Sequence, residues 1–251
     1  MIVWLVAEIV PPTRRNRTVA AVFSVILIAA YAWEARVQTA FWRSGYTIFS
    51  RALEVAPDNA FAEDDLGIAL DQEWGRPDLA IPHYERAVEV MPELSFAHYN
   101  LAIALQKQNR LDDATREYRL ALASQPDTSE VSLIHDNLGG ILRSQQNWKA
   151  ARLEYDLALQ DKPNDPIILT NRGVVEAQQG DFPAARTDLL LAERVFPNPV
   201  TCFALGRVLE DSGDLPAAAS AFETVLRMSP DVADAEAHLE NVRRRLKTVS
   251  E

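Results

Sequence analysis

The chain has 251 residues but one cysteine, Cys202, and four histidines. One cysteine excludes an internal disulfide framework and any cysteine-cluster metal site. None of His83, His98, His135 and His238 has another His or Cys three or four residues on, so the spacing of a zinc helix is missing. No Walker loop, dinucleotide glycine fingerprint or nucleophile elbow occurs. The residues therefore imply no metal, no cofactor and no catalytic constellation, and the chain reads as a non-enzyme.

Positive charge is also scarce, with 25 Lys and Arg against 36 Asp and Glu. Most of the imbalance lies in the body of the chain. Residues 1–57 hold six arginines against three glutamates, a net of +3, which leaves −14 for residues 58–251. A body this acidic repels phosphate backbones, so nucleic acid is not an expected partner. With 24% charged and 48% apolar residues the composition is that of a folded protein.

Glycine and proline are few, 9 and 14, and their placement is regular. Pro57, Pro92, Pro126, Pro163, Pro197 and Pro230 follow helical segments at intervals of 35, 34, 37, 34 and 33 residues. A period near 34 marks a stacked repeat. Other positions keep the phase. Five residues before each proline stand Ala52, Ala87, Ala121, Ala158, Ala192 and Val225. Three before those stand Phe49, Tyr84, Tyr118, Tyr155, Leu189 and Phe222. Four earlier come Gly45, Ala80, Ala114, Ala151, Ala185 and Ala218. This small–aromatic–small spacing places all three on one helix face. A preceding segment carries a leucine–small pair: Leu66-Gly67, Leu101-Ala102, Leu138-Gly139, Leu205-Gly206, and Arg172-Gly173 as a variant. Gly75, Gly180 and Gly213 fall between the paired segments, where a helix ends on a left-handed residue. Pro82 lies inside a helical segment and is expected to kink it.

This pattern resembles the tetratricopeptide repeat (TPR) family over residues 45–230. The resemblance implies an all-α fold, a right-handed superhelical α-solenoid; the residues before it are expected to add a membrane-spanning or hydrophobic helix. The expected organisation is an apolar and basic segment (1–17), a transmembrane helix (18–33), a junction with a half repeat (34–57), five repeats (58–230) and a capping helix (231–251).

The helix at 18–33 rests on Thr18–Trp33, sixteen residues without a charge. At 1.5 Å per residue it reaches roughly 24 Å, slightly short of the ~30 Å hydrocarbon core. Arg14, Arg15 and Arg17 precede it, and the positive-inside rule then puts the repeats on the extracytoplasmic side. Two other readings stand beside a single-pass membrane anchor. One is a signal peptide cleaved after Ala30-Tyr31-Ala32, giving a soluble exported repeat protein. The other is a buried helix that completes the half repeat. The stretch 37–70, with Gln38, Trp42, Phe49, Ala52-Leu53, Pro57, Asn59 and Leu66-Gly67, resembles the junction between the last membrane helix and carboxy-terminal TPRs in protein-O-mannosyltransferase-like proteins. Ser44 and Gly45 depart from that family's Asp-Ser pair. The resemblance implies that the chain is the carboxy-terminal part, or a split relative, of a membrane glycosyltransferase, and makes such an enzyme a candidate partner.

The residue before each leucine–small pair is Asp65, Asn100, Asn137, Asn171 and Ala204. Three successive asparagines resemble the asparagine ladder in the superhelical domain of O-GlcNAc transferase, which implies that they line a concave groove and hold a peptide by its backbone. A carboxamide offers both donor and acceptor to a peptide unit of any sequence. Asn is also a poor helix former, so its recurrence needs a reason; a consensus residue that caps or packs between repeats is the alternative. Helical spacing adds Tyr99, Asp136, Ile68, Ile103, Gln106 and Arg143 to the candidate groove. The lysines of a carboxylate clamp are missing. The expected function is a membrane-anchored interaction scaffold that docks a protein or peptide segment. His98 and His135 hold roughly equivalent repeat positions and read as solvated, Glu63-Asp64-Asp65 reads as a solvated first turn, and Cys202 reads as a packed small apolar residue.

Overall fold

The computed structural model describes residues 22–33 and 44–250. Residues 22–33 are helical, with Val22, Phe23, Val25, Ile26, Ile28, Tyr31 and Trp33 exposed. Among the described residues no helix is long and apolar enough to cross a membrane. Residues 18–21 of the expected span, the arginines before it and residues 34–43 lie outside the described residues.

The rest is all helix and falls into two compact units that meet in sequence at Pro92 and Glu93. The first unit contains α1 (Gly45–Val55), α2 (Ala60–Ile68), a π-helical turn (Ala69–Glu73) and α3 (Pro77–Val90). The second contains α4 (Ser95–Lys107), α5 (Leu111–Ala123), α6 (Thr128–Ser144), α7 (Trp148–Asp161), α8 (Pro166–Gln178), α9 (Phe182–Val195), α10 (Pro199–Asp211), α11 (Leu215–Met228) and α12 (Ala233–Ser250).

Many of the helix starts are set by side-chain caps. Asn59, Asp127, Asn147, Asp165, Asp181, Asn198 and Asp214 each accept a hydrogen bond from a backbone N–H of the first turn. Proline at the first or second position, as in α8 and α11, removes a donor that has no intrahelical partner. The turns inside the helix pairs pass through the left-handed region. Gly75, Gly180 and Gly213 take it at φ 62°, 80° and 86°, and Asn109 and Gln146 take it at φ 58° in the other two pairs. The helix α3 runs through Pro82, whose ring nitrogen has no hydrogen to offer the carbonyl of Asp78.

The paired helices pack through the phased positions. Ala80, Ala114, Ala151, Ala185 and Ala218 are fully buried, as are Tyr118, Tyr155, Leu189 and Phe222. The small residue of each leucine–small pair lets the aromatic in. A Cβ added at Gly67 would stand 2.6 Å from the Tyr84 ring, at Gly139 2.6 Å from Tyr155, and at Gly206 2.7 Å from Phe222. One core cluster gathers around Tyr155 with Ile168, Leu169 and Val175. Another gathers around Phe222 and is closed by Ala235, Leu239 and Val242 of α12.

Two departures from the 34-residue period have separate solutions. The first pair holds one extra residue between Gly67 and Ala80, and it is absorbed as the π-helical turn at Ala69–Glu73. The three extra residues after Pro126 lengthen α6 at its start, to 17 residues against 13 in α4, α8 and α10.

Candidate functional site

The candidate groove residues occupy fixed positions on the first helix of each pair. In the first unit Asp65 and Ile68 are half-buried on or at the end of α2, and burial pushes the Asp65 carboxyl above its ordinary pKa. In the second unit Tyr99, Asn100, Ile103 and Gln106 lie on α4, Asp136, Asn137 and Arg143 on α6, and Asn171 on α8. All are half-buried except Arg143, which is exposed.

The second unit brings most of these together. Asn137 donates through Nδ2 to the Leu133 carbonyl at 3.0 Å and reaches the Tyr99 hydroxyl of the preceding pair at 3.5 Å. Asn171 donates through Nδ2 to Asp136 Oδ1 at 3.0 Å. The donors of these two carboxamides thus tie successive pairs together. No hydrogen bond among the described residues reaches the Oδ1 of either one. Behind them, the Tyr118 hydroxyl donates to Gln106 Oε1 at 3.0 Å, and the Tyr99 and Tyr118 rings lie 5.9 Å apart. Arg143 stands at the position equivalent to Gln106. Burial pushes the Tyr155 phenol up to about 12 against the opposing charge of Arg143. Burial raises the Asp136 carboxyl as well, opposed by the hydrogen bond from Asn171.

Sequence reasoning missed an apolar row beside the ladder. Leu133, Ile167 and Val200 are 41%, 65% and 70% exposed. They sit four residues, one helical turn, before Asn137, Asn171 and Ala204 and therefore on the same helix face. Phe96 holds that position on α4, and Phe61 holds it in the first unit. The signal was present as a large apolar residue at a constant interval, on a face that the core does not use.

Four charge assignments need correction. His98 is buried, not solvated, with Nδ1 2.7 Å from Glu117 Oε2 on α5. His135 is half-buried and pairs in the same way with Glu154 of α7 at 2.7 Å. Glu63 and Asp64 are buried rather than forming a solvated first turn, and Glu63 pairs with His83 at 2.7 Å. The Glu63–His83 pair occupies the positions of His98–Glu117 and His135–Glu154 with the partners exchanged. Such partners lie 19 or 20 residues away on the second helix, so spacing within one helix does not reveal them. His238 pairs with Glu210 at 2.7 Å and stacks on Phe222. Cys202 is buried in the core around Phe222.

The fourth pair of the repeat series, α8 and α9, replaces the consensus leucine by Arg172. Its guanidinium holds Asp188 of α9 with two bonds of 2.6 and 2.9 Å and Asp156 of α7 at 2.8 Å. Nearby, Glu176 is buried with Oε1 3.1 Å from Arg152. Its Oε2 has no hydrogen-bond partner among the described residues. Burial, then the negative charge of Asp188, raises its pKa to about 7, opposed by Arg152 and Arg172.

Comparisons with known proteins agree with the helix pairing. No curated protein matches the chain. Among solved structures, the chain is similar to YrrB, described as a TPR protein with an unusual peptide-binding site, at 17% identity and a TM-score of 0.64 over 75% of this chain and 96% of that one. It is similar to pilF of Pseudomonas aeruginosa at 22% identity and TM-score 0.60, over 76% and 91% of the two chains. A third, the type IV pilus biogenesis factor PilW, matches at 22% identity and TM-score 0.62, over 75% and 92%. At these identities the likeness shows the fold alone. Two family models, both described as tetratricopeptide repeat, match residues 73–138 and residues 137–198 and 203–241. The stretch 37–70 that carries the membrane-protein resemblance lies outside both matches. The matched residues make up well over half of the sequence, and the chain belongs to the tetratricopeptide repeat family.

Proposed function

We propose that the chain is a non-catalytic scaffold that docks an extended protein segment along the ladder face of its second unit. One observation carries this reading. Asn137 and Asn171 use their donors within the protein and leave their carbonyl oxygens without a partner among the described residues, beside the exposed side chains of Leu133, Ile167 and Val200. Such a surface offers acceptors to backbone N–H groups and apolar contact to side chains. The first helices α6, α8 and α10 pack in succession, and packed helices lie about 8–10 Å apart. An extended chain rises about 3.3 Å per residue, so every third residue of the ligand meets an equivalent position. The matching segment carries an apolar residue at every third position. Panning a peptide library on the protein tests this. Enrichment of that spacing, with binding weakened by Ile167→Asp, is expected; selected peptides indifferent to Ile167→Asp contradict it.

Membrane anchoring through residues 18–33, with the repeats on the extracytoplasmic side, is the second part of the proposal. Its support is the uncharged run, the exposed apolar side chains of residues 22–33 and the arginines before them. Protease added to spheroplasts should digest the repeats before lysis. Resistance until the inner membrane is lysed contradicts the orientation.

A further inference from the structure

A cleft of about 580 Å³ opens between α5 and the end of α6, lined by Asp112, Thr115, Arg116, Arg119, Leu120, Leu142 and Gln145. None of these is a ladder residue. Comparison with the next pair shows why the cleft exists. At the equivalent place between α7 and α8, Arg152 stands for Thr115 and Glu176 for Leu142, and the two meet at 3.1 Å. Arg152 also reaches Asp181, the cap of α9, at 3.3 Å. Asp156 stands for Arg119 and holds Arg172 at 2.8 Å. One repeat further on, Arg186 reaches Asp214, the cap of α11, at 3.3 Å. Between α5 and α6 the bridging pair is replaced by a hydroxyl and an isobutyl group, and the gap stays open.

The lining identifies the class of occupant. Arg119 makes no hydrogen bond or ion pair among the described residues. Among the described residues Arg116 pairs only with Asp113, three residues earlier on the same helix, and a pair of this kind, with the arginine exposed, exchanges its partner at little loss. Two guanidinium groups thus stand at the rim of a cleft in a body that carries −14, and guanidinium binds carboxylate in a fixed two-point geometry. Leu120 is 42% exposed, and Leu142 is only partly buried. We propose that this cleft is a second docking site, which takes an acidic segment of a partner protein with an apolar side chain between carboxylates. The apolar side chain enters between Leu120 and Leu142, and the flanking carboxylates meet Arg116 and Arg119.

The test is a fluorescence-anisotropy titration of the full chain at low salt, where exposed charge pairs are least screened. The probe is a capped, fluorescein-labelled peptide Glu-Asp-Leu-Phe-Glu-Asp. Controls replace its acidic residues by lysine or its Leu-Phe by Gly-Gly. Saturable binding of the parent peptide alone is expected. Arg119→Glu combined with Arg116→Ala should weaken it by at least about tenfold. Thr115→Arg with Leu142→Glu, which installs the bridge seen at Arg152 and Glu176, should abolish it. Asn137→Ala with Asn171→Ala should leave it unchanged. Absence of saturable binding, equal binding of all three peptides, or an affinity indifferent to the arginine substitutions overturns the proposal. The arginine variant alters exposed side chains only, so it remains a test even if the bridged variant does not fold.

Discussion

At the scale of single residues, two adjacent glycines separate packing from propensity. A Cβ at Gly139 would press on the Tyr155 ring at 2.6 Å, whereas a Cβ at Gly140 meets nothing within 4 Å. Gly139→Ala should destabilise the protein by about 1–3 kcal/mol through overpacking. Gly140→Ala should stabilise it by about 0.5–1 kcal/mol, because alanine loses less freedom in a helix. Chemical denaturation of both variants measures the difference. Only Gly139 was legible in the sequence, since it shares phase with Gly67, Gly173 and Gly206. Glu176 adds a pH dependence. Its pKa is raised in the folded protein to about 7, so it contributes stability that is full below the ordinary carboxylate range and is lost as pH rises through about 7. Glu176→Gln should remove that loss and raise stability at pH 8 by about 1–2 kcal/mol, net of the weaker contact with Arg152. At pH 4 the variant and the parent should unfold alike.

Among the helices, the turns and caps carry the periodicity. Gln146 adopts a left-handed conformation that glycine fills at Gly180 and Gly213. Gln146→Gly should therefore stabilise the α6–α7 turn by roughly 0.5–1 kcal/mol, read as a rise in Tm. Asp214 caps α11 and also receives Arg186 of α9. Asp214→Ala should cost about 1–2 kcal/mol, more than an exposed ion pair alone. The all-helical repeat was legible because proline, glycine and the small–aromatic spacing each recur where a helix must stop, turn or approach another. The π-helical turn at Ala69–Glu73 and the longer α6 were visible only as intervals of 35 and 37. An interval says that residues were added, and only packing decides whether a helix bulges or lengthens.

For the whole molecule, the charge has two different uses. Some of it is internal: the His–Glu pairs and the Arg172 network join helices. The remainder is net acidic, and under the proposed function it suits a segment that brings positive charge or neutral backbone, with the arginine-rimmed cleft as a local exception. The candidate face was legible in part. The asparagine period pointed to the first helices, but it did not mark the row of Leu133, Ile167 and Val200 beside it. Apolar residues at helical spacing look the same in sequence whether they are buried or exposed. The central claim, that the ladder face holds a peptide by its backbone, is tested most directly by one affinity. A peptide selected on the native chain should bind the triple variant Asn100→Ala, Asn137→Ala, Asn171→Ala more weakly by about 1 kcal/mol per lost hydrogen bond, with helicity unchanged. Equal affinity in a fully folded triple variant would contradict the account.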